Sequence, residues 1–111
     1  RNGKGKEYYY NGKLLFEGEY LNGKRYNGKG FNINGIIDFI INNGNGKGKE
    51  YYYDGKLLFE GDYLNTKRYN GKGYDINGII VFIINNGNGK GIEYDFDGKL
   101  ILYLKKFYDI S

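Results

Sequence analysis

Two pairs of acids stand one residue apart in this chain, Glu17 with Glu19 and Glu60 with Asp62. On an extended strand such neighbours point to the same side, and two carboxylates on one side are the equipment of glycoside hydrolysis, one as acid and one as base or nucleophile. On an open strand surface they are ordinary solvated charges, so no catalytic residue is assigned. Nucleophilic chemistry of the Ser-His-Asp or Cys-His type is excluded, because the 111-residue chain has no His or Cys and its one serine, Ser111, is the final residue. The same absence leaves no ligand set for zinc or an iron–sulfur centre and no disulfide framework. No metal or cofactor is expected, and a cytoplasmic site fits best.

Glycine-rich loops that cradle phosphate are the next chemistry to weigh, since Gly-Lys-Gly recurs at 3, 28, 46, 71 and 89. A phosphate loop needs a preceding strand, a hydroxyl residue after the lysine and a following helix, and the chain offers neither hydroxyl nor helix. The tripeptide therefore reads as hairpin structure. Lys4, Lys24, Lys29, Lys47, Lys67, Lys72 and Lys90 recur near the turns, where they could line one rim and attract anionic phospholipid headgroups. Lysine also simply keeps turns and sheet edges soluble. The net charge of +4 comes from 17 basic and 13 acidic side chains that interleave, so nucleic acid and small-molecule substrates are not expected. The longest apolar runs, "IIVFII" at 79 to 84 and "LILYL" at 100 to 104, fall well short of the roughly 20 residues that cross a bilayer.

What must position these residues is a repeat. "FEGEYLNGK" at 16 to 24 returns as "FEGDYLNTK" at 59 to 67, and residues 11 to 53 match 54 to 96 at all but nine positions. The Gly-Lys-Gly spacings halve that period of 43 into unequal units, each too small to bury its own apolar side, so neighbouring units must supply one another's core. The shorter units carry "FIINNGNGKG" at 39 to 48 and 82 to 91, with Ile41 and Ile84 in the place of Gly18, and must pack differently. Asn-Gly or Asp-Gly stands at 11-12, 22-23, 27-28, 34-35, 54-55, 70-71, 77-78 and 97-98, and each is read as a two-residue type I′ hairpin turn. Between turns Leu14, Phe16, Gly18 and Tyr20 alternate with Leu15, Glu17 and Glu19, which puts an apolar face opposite a charged one. With 20 Gly and no sustained spacing of three and four, helices are not expected.

"FEGEYLNGKRYNGKG" resembles the MORN repeat, a pattern of aromatic, any residue, Gly, Glu, aromatic, then Asn-Gly-Lys and Gly-x-Gly. Phe16, Gly18, Glu19, Tyr20, Asn22, Gly23, Lys24, Gly28 and Gly30 match it in order, and the second copy departs from it at Asp62 and Thr66. One extra residue stands between Lys24 and Gly28. The resemblance implies an all-β fold, an elongated single-layer antiparallel sheet of successive β-hairpins over residues 1–111, acting as a scaffold or binding surface. It implies a protein partner, and a place at a membrane or cytoskeletal periphery is in keeping with the family. The rings expected to share the binding face are Tyr8, Tyr10, Phe16, Tyr20, Tyr51, Tyr53, Phe59 and Tyr63. A single sheet leaves such a face open unless a partner, a cap or a second copy covers it.

Three finer expectations follow. Gly18 and Gly61 are read as bare backbone on which neighbouring rings lie. Residues 97 to 111 begin another unit but decay into a cap, with Leu104 where Gly61 stood and Lys106 where Tyr63 stood. The chain opens in mid-repeat at Arg1-Asn2-Gly3, a start that allows a longer gene product and leaves a first strand with an unpaired edge. A homodimer through that edge or through the aromatic face is expected; the alternative is a peripheral membrane module that uses the lysine rim.

Overall fold

The computed structural model describes the backbone of residues 2–104 and the side chains of residues 2–100. Residue 1 and most of the expected cap, including Lys106, lie outside the described residues, as does the side chain of Leu104. Ten strands follow one another: β1 (Gly3–Tyr8), β2 (Leu14–Leu21), β3 (Lys24–Phe31), β4 (Ile37–Ile41), β5 (Gly46–Tyr51), β6 (Leu57–Leu64), β7 (Lys67–Tyr74), β8 (Ile80–Asn85), β9 (Asn88–Tyr94) and β10 (Leu100–Leu104). The expected all-β array of consecutive antiparallel hairpins is what the chain forms, and no helix occurs among the described residues. The hairpins make two ladders, β1-β2-β3-β4 and β5 through β10, where one continuous sheet was expected. Its extents of 33 × 31 × 21 Å describe a curled sheet, not a ribbon.

The curl comes from bulges. Pairing slips by one residue at Leu15, Tyr26 and Asp38, and again at the equivalent Leu58, Tyr69 and Val81. An extra residue on one strand bends it and raises the local twist. Tyr26 occupies the stretch where the MORN pattern is exceeded by one residue, so the insertion is absorbed as a bulge. A bulge also breaks strict alternation. That is why adjacent Leu15 and Phe16 are both buried, although alternation assigned them to opposite faces. The bending brings loops a whole repeat apart into contact: the Tyr10 N–H donates to the Tyr53 carbonyl at 3.1 Å, and the Tyr53 N–H to the Phe96 carbonyl at 3.2 Å. Stacking of one repeat on the next explains why the well-matched period is 43 and not half of it.

The turns divide into two kinds. Asn22-Gly23, Asn43-Gly44, Asn65-Thr66 and Asn86-Gly87 have positive φ at both residues and are the two-residue turns. At Asn11-Gly12, Asn34-Gly35, Asp54-Gly55, Asn77-Gly78 and Asp97-Gly98 only the glycine has positive φ, in three-residue loops closed by pairs such as the Tyr9 N–H to the Lys13 carbonyl. Asn27-Gly28 and Asn70-Gly71 are not turns at all but lie inside β3 and β7. Loop aspartates and asparagines explain the difference: the Asp75 carboxylate accepts the N–H groups of Asn77 and Ile79, and Asn32 does the same for Asn34 and Ile36. Thr66, at φ 72, is a β-branched residue where its sister turns have glycine. Thr66→Gly is therefore expected to stabilise the fold by about 1 kcal/mol, read as a higher urea midpoint at unchanged slope.

One core cluster forms per repeat. Phe16 stacks on Phe39 at 6.3 Å between ring centres, and Phe59 on Phe82 at 6.0 Å. Tyr9 and Tyr52 are buried, and their hydroxyls donate to the carbonyls of Phe31 and Tyr74 at 2.7 and 2.6 Å. The Phe39 and Phe82 rings lie on Gly30 and Gly73, where an added Cβ would sit 2.1 and 1.9 Å from ring carbons. Gly18 and Gly61 were expected to hold rings. They face backbone instead: a Cβ there would lie 1.9 Å from the carbonyl oxygens of Asn27 and Asn70 and 2.6 Å from the Cα atoms of Gly28 and Gly71.

Candidate binding surface

The curl turns most of the expected aromatic face inward. Phe16 and Phe59 are fully buried, Tyr20 and Tyr51 nearly so, and Tyr63 partly, whereas Tyr8, Tyr10 and Tyr53 remain exposed. The seven lysines do not share one rim. Gly-Lys-Gly lies in or at the edge of strands, so Lys4, Lys29, Lys47 and Lys72 stand opposite Glu19, Glu17, Asp62 and Glu60 across the ladders, while Lys90 faces Ile83. Lys24 and Lys67 open β3 and β7 beside two-residue turns. The acid pairs belong to the same solvated outer surface: Glu17 and Glu60 bridge to Lys6 and Lys49 at 3.7 Å, Asp62 to Lys47 at 3.4 Å, and Asn27 donates to Glu19 at 3.0 Å.

The inner side holds a cluster that the sequence reading left out. Arg25 grips the Glu7 carboxylate with Nε at 2.9 Å and Nη2 at 2.8 Å, and the Tyr20 hydroxyl donates to the same carboxylate at 2.5 Å. One repeat later Arg68 grips Glu50 in the same two-pronged way, and the Tyr63 hydroxyl donates to Glu50. Each arginine also reaches two strands forward, Arg25 on β3 to the Lys49 carbonyl on β5 at 3.1 Å and Arg68 on β7 to Glu93 on β9 at 3.3 Å. Their guanidinium planes lie over Phe16 and Phe59, at 4.6 and 4.7 Å from the ring centres. Burial alone would raise the Glu50 pKa, but the charge and hydrogen bonds of Arg68, with Arg25 and Tyr63, outweigh it and hold the carboxyl at about 2. Glu7 is lowered in the same way: burial raises it, and Arg25 and Tyr20 more than offset that. Burial and the facing Glu50 push the Tyr63 hydroxyl well above its ordinary value, so it stays a donor.

This column lines a cavity of about 640 Å³ together with Lys24 and Lys67. Carboxylates held ionised and bonded at both oxygens have no proton to give as a general acid, and the column's chemistry is to tie one repeat to the next. The signal for it was present. Of three arginines in the chain, Arg25 and Arg68 are one period apart, and Glu7, Glu50 and Glu93 keep the same period.

One group of exposed apolar side chains lies at the loop end, while Leu21, Leu64, Ile40 and Ile83 are exposed elsewhere. Because hairpins alternate, every three-residue loop lies at the end opposite the two-residue turns. Tyr10, Tyr53 and Phe96 project from three of these loops, 66%, 40% and 41% exposed, with ring centres 6.1 and 6.4 Å apart. Ile36 and Ile79, both more than 60% exposed, stand on the other two loops that precede β4 and β8. Lys13, Lys56 and Lys99 follow the three rings in sequence. The opposite end carries Asn, Gly and Thr in its turns, with exposed Leu21 and Leu64 beside two of them. Compared with protein-family models, with curated proteins and with solved structures, the chain matches none of them.

Proposed function

We propose that this chain is a MORN-type hairpin array serving as a non-enzymatic scaffold, and that it binds a protein partner, a second copy of itself first among them, through its loop end. The observation that carries the reading is the ladder of Tyr10, Tyr53 and Phe96. Three rings in a row, left open to water and flanked by exposed isoleucines, form the kind of contiguous apolar patch that marks an interaction site. Tyrosine supplies ring area at low entropic cost and keeps a polar tip for hydrogen bonding. Two-fold pairing of like surfaces is the commonest oligomer. A cytoplasmic location suits the cysteine-free chain. Light scattering over a hundredfold range of concentration is the test: a dimer is expected, weakened about tenfold or more by Tyr10→Ser with Tyr53→Ser, while a constant monomer mass overturns self-pairing.

A second reading is supported by the lysines that accompany the rings. Aromatic tips with neighbouring lysines suit the interface of an anionic membrane, and no helix among the described residues is long and apolar enough to cross one. Vesicles containing phosphatidylserine then bind the chain and release it as salt rises. Binding indifferent to lipid charge and salt argues against this reading.

A further inference from the structure

The decapeptide "FIINNGNGKG" occurs twice, at 39 to 48 and at 82 to 91, and the two identical copies are folded differently. In the second copy Phe82, Ile83, Ile84 and Asn85 pair with Gly91, Lys90, Gly89 and Asn88, and β8 and β9 form a closed hairpin. In the first copy only Asn42 pairs with Asn45, and the ladder ends there. The strained glycine moves as well: φ of 135° falls at Gly91 in the closed copy but at Gly46 in the open one, two residues earlier in the repeat. A displacement by two preserves which side chains face inward. Phe39 and Ile41 are accordingly buried in the open copy, as Phe82 and Ile84 are in the closed one.

Identical residues in two pairing states mean that the choice is made outside them. Among the nine differences between the repeats, Asp38 against Val81 and Lys49 against Ile92 are the two that abut the decapeptide. Asp38 accepts from Lys49 at 3.2 Å and from the Tyr51 hydroxyl, and Lys49 is drawn on to Glu60 at 3.7 Å. A slot of about 270 Å³ lies there, lined by Asp38, Phe39, Lys47, Gly48, Lys49 and Glu60 among others. In the closed copy a valine and an isoleucine occupy the two positions and have no charge to keep hydrated.

We propose that the β4–β5 junction is a two-state element, splayed or zipped, and that Asp38 and Lys49 select the splayed state. Zipping joins the two ladders into one ten-stranded sheet; in the splayed state β4 and β5 are held by the Asn42–Asn45 bridge and by the contacts of Asp38 with Lys49 and Tyr51 in place of a backbone ladder. The inference does not depend on what the loop end binds. Amide hydrogen exchange followed by NMR tests it, because each copy serves as the other's reference. In the native chain the Ile40 and Lys47 amides, which lack the cross-strand pairing of Ile83 with Lys90, exchange at least about tenfold faster than those of Ile83 and Lys90. In Asp38→Val with Lys49→Ile the difference closes, and in Val81→Asp with Ile92→Lys the second copy becomes fast. Equal exchange of the two copies in the native chain overturns the proposal. So does a folded double variant in which 39 to 48 keeps its native rate. Should Asp38→Val with Lys49→Ile not fold, the reciprocal variant decides: acceleration of 82 to 91 supports the switch, and an unchanged rate overturns it.

Discussion

Arg68→Ala is expected to lose about 3–5 kcal/mol of folding stability, a large part of the roughly 5–15 kcal/mol that holds a domain of this kind together. Three effects add. The substitution takes from Glu50 its two-pronged partner and from Glu93 the Arg68 contact, on the inner side where the two carboxylates are 27% and 18% exposed, and it removes the cation from above Phe59. It also cuts the ties from β7 to β5 and to β9, of which the one to Glu50 joins successive repeats. Urea unfolding measures it, and a loss below about 1 kcal/mol would show that the column is ornamental. Acid titration supplies an independent check. The folded Glu50 has its pKa lowered from 4.5 to about 2, so its contribution is complete above about pH 4.5 and disappears as pH falls through about 2. The native chain should lose stability over that window. In Arg68→Ala the Glu50 part of the loss shrinks, because the largest cause of its lowered pKa is gone while the Arg25 charge and the Tyr63 hydroxyl remain.

Gly61→Val carries the second large effect. Gly61 pairs with Gly71 across β6 and β7, and a Cβ at Gly61 would stand 1.9 Å from the Asn70 carbonyl oxygen. Backbone cannot turn aside as a flexible side chain does, so the two central strands of the second repeat must part. Overpacking alone typically costs about 1–3 kcal/mol, and loss of ladder pairing adds to it, so we expect about 4 kcal/mol or outright failure to fold. Lys72→Ala, on the solvated face of β7, is the control and should stay within about 0.5 kcal/mol. Comparable denaturation midpoints for Gly61→Val and Lys72→Ala would refute close backbone approach at this pair.

Local chemistry is legible in a sequence, and here it carried the class of fold. Alternation along "LLFEGEYL", glycine density and Asn-Gly dipeptides each act over a few residues, and together they specified antiparallel hairpins, with an absence of helix that holds throughout the described residues. The identity of the core was only half visible. Alternation placed Leu15 with the charged side, but a bulge puts it inside beside Phe16, and no local rule announces where pairing will slip. Turn geometry was similarly divided: Asn22-Gly23 follows its dipeptide preference, whereas Asn11-Gly12 is drawn into a longer loop. The arginine–glutamate column, the loop-end ladder and the open β4–β5 junction were decided by tertiary structure. Each depends on strands that are distant in sequence being carried together by accumulated twist. Arg25 meets Glu7 from two strands away, Tyr10 meets Tyr53 from a full repeat away, and an identical decapeptide pairs or splays according to the residues beside it.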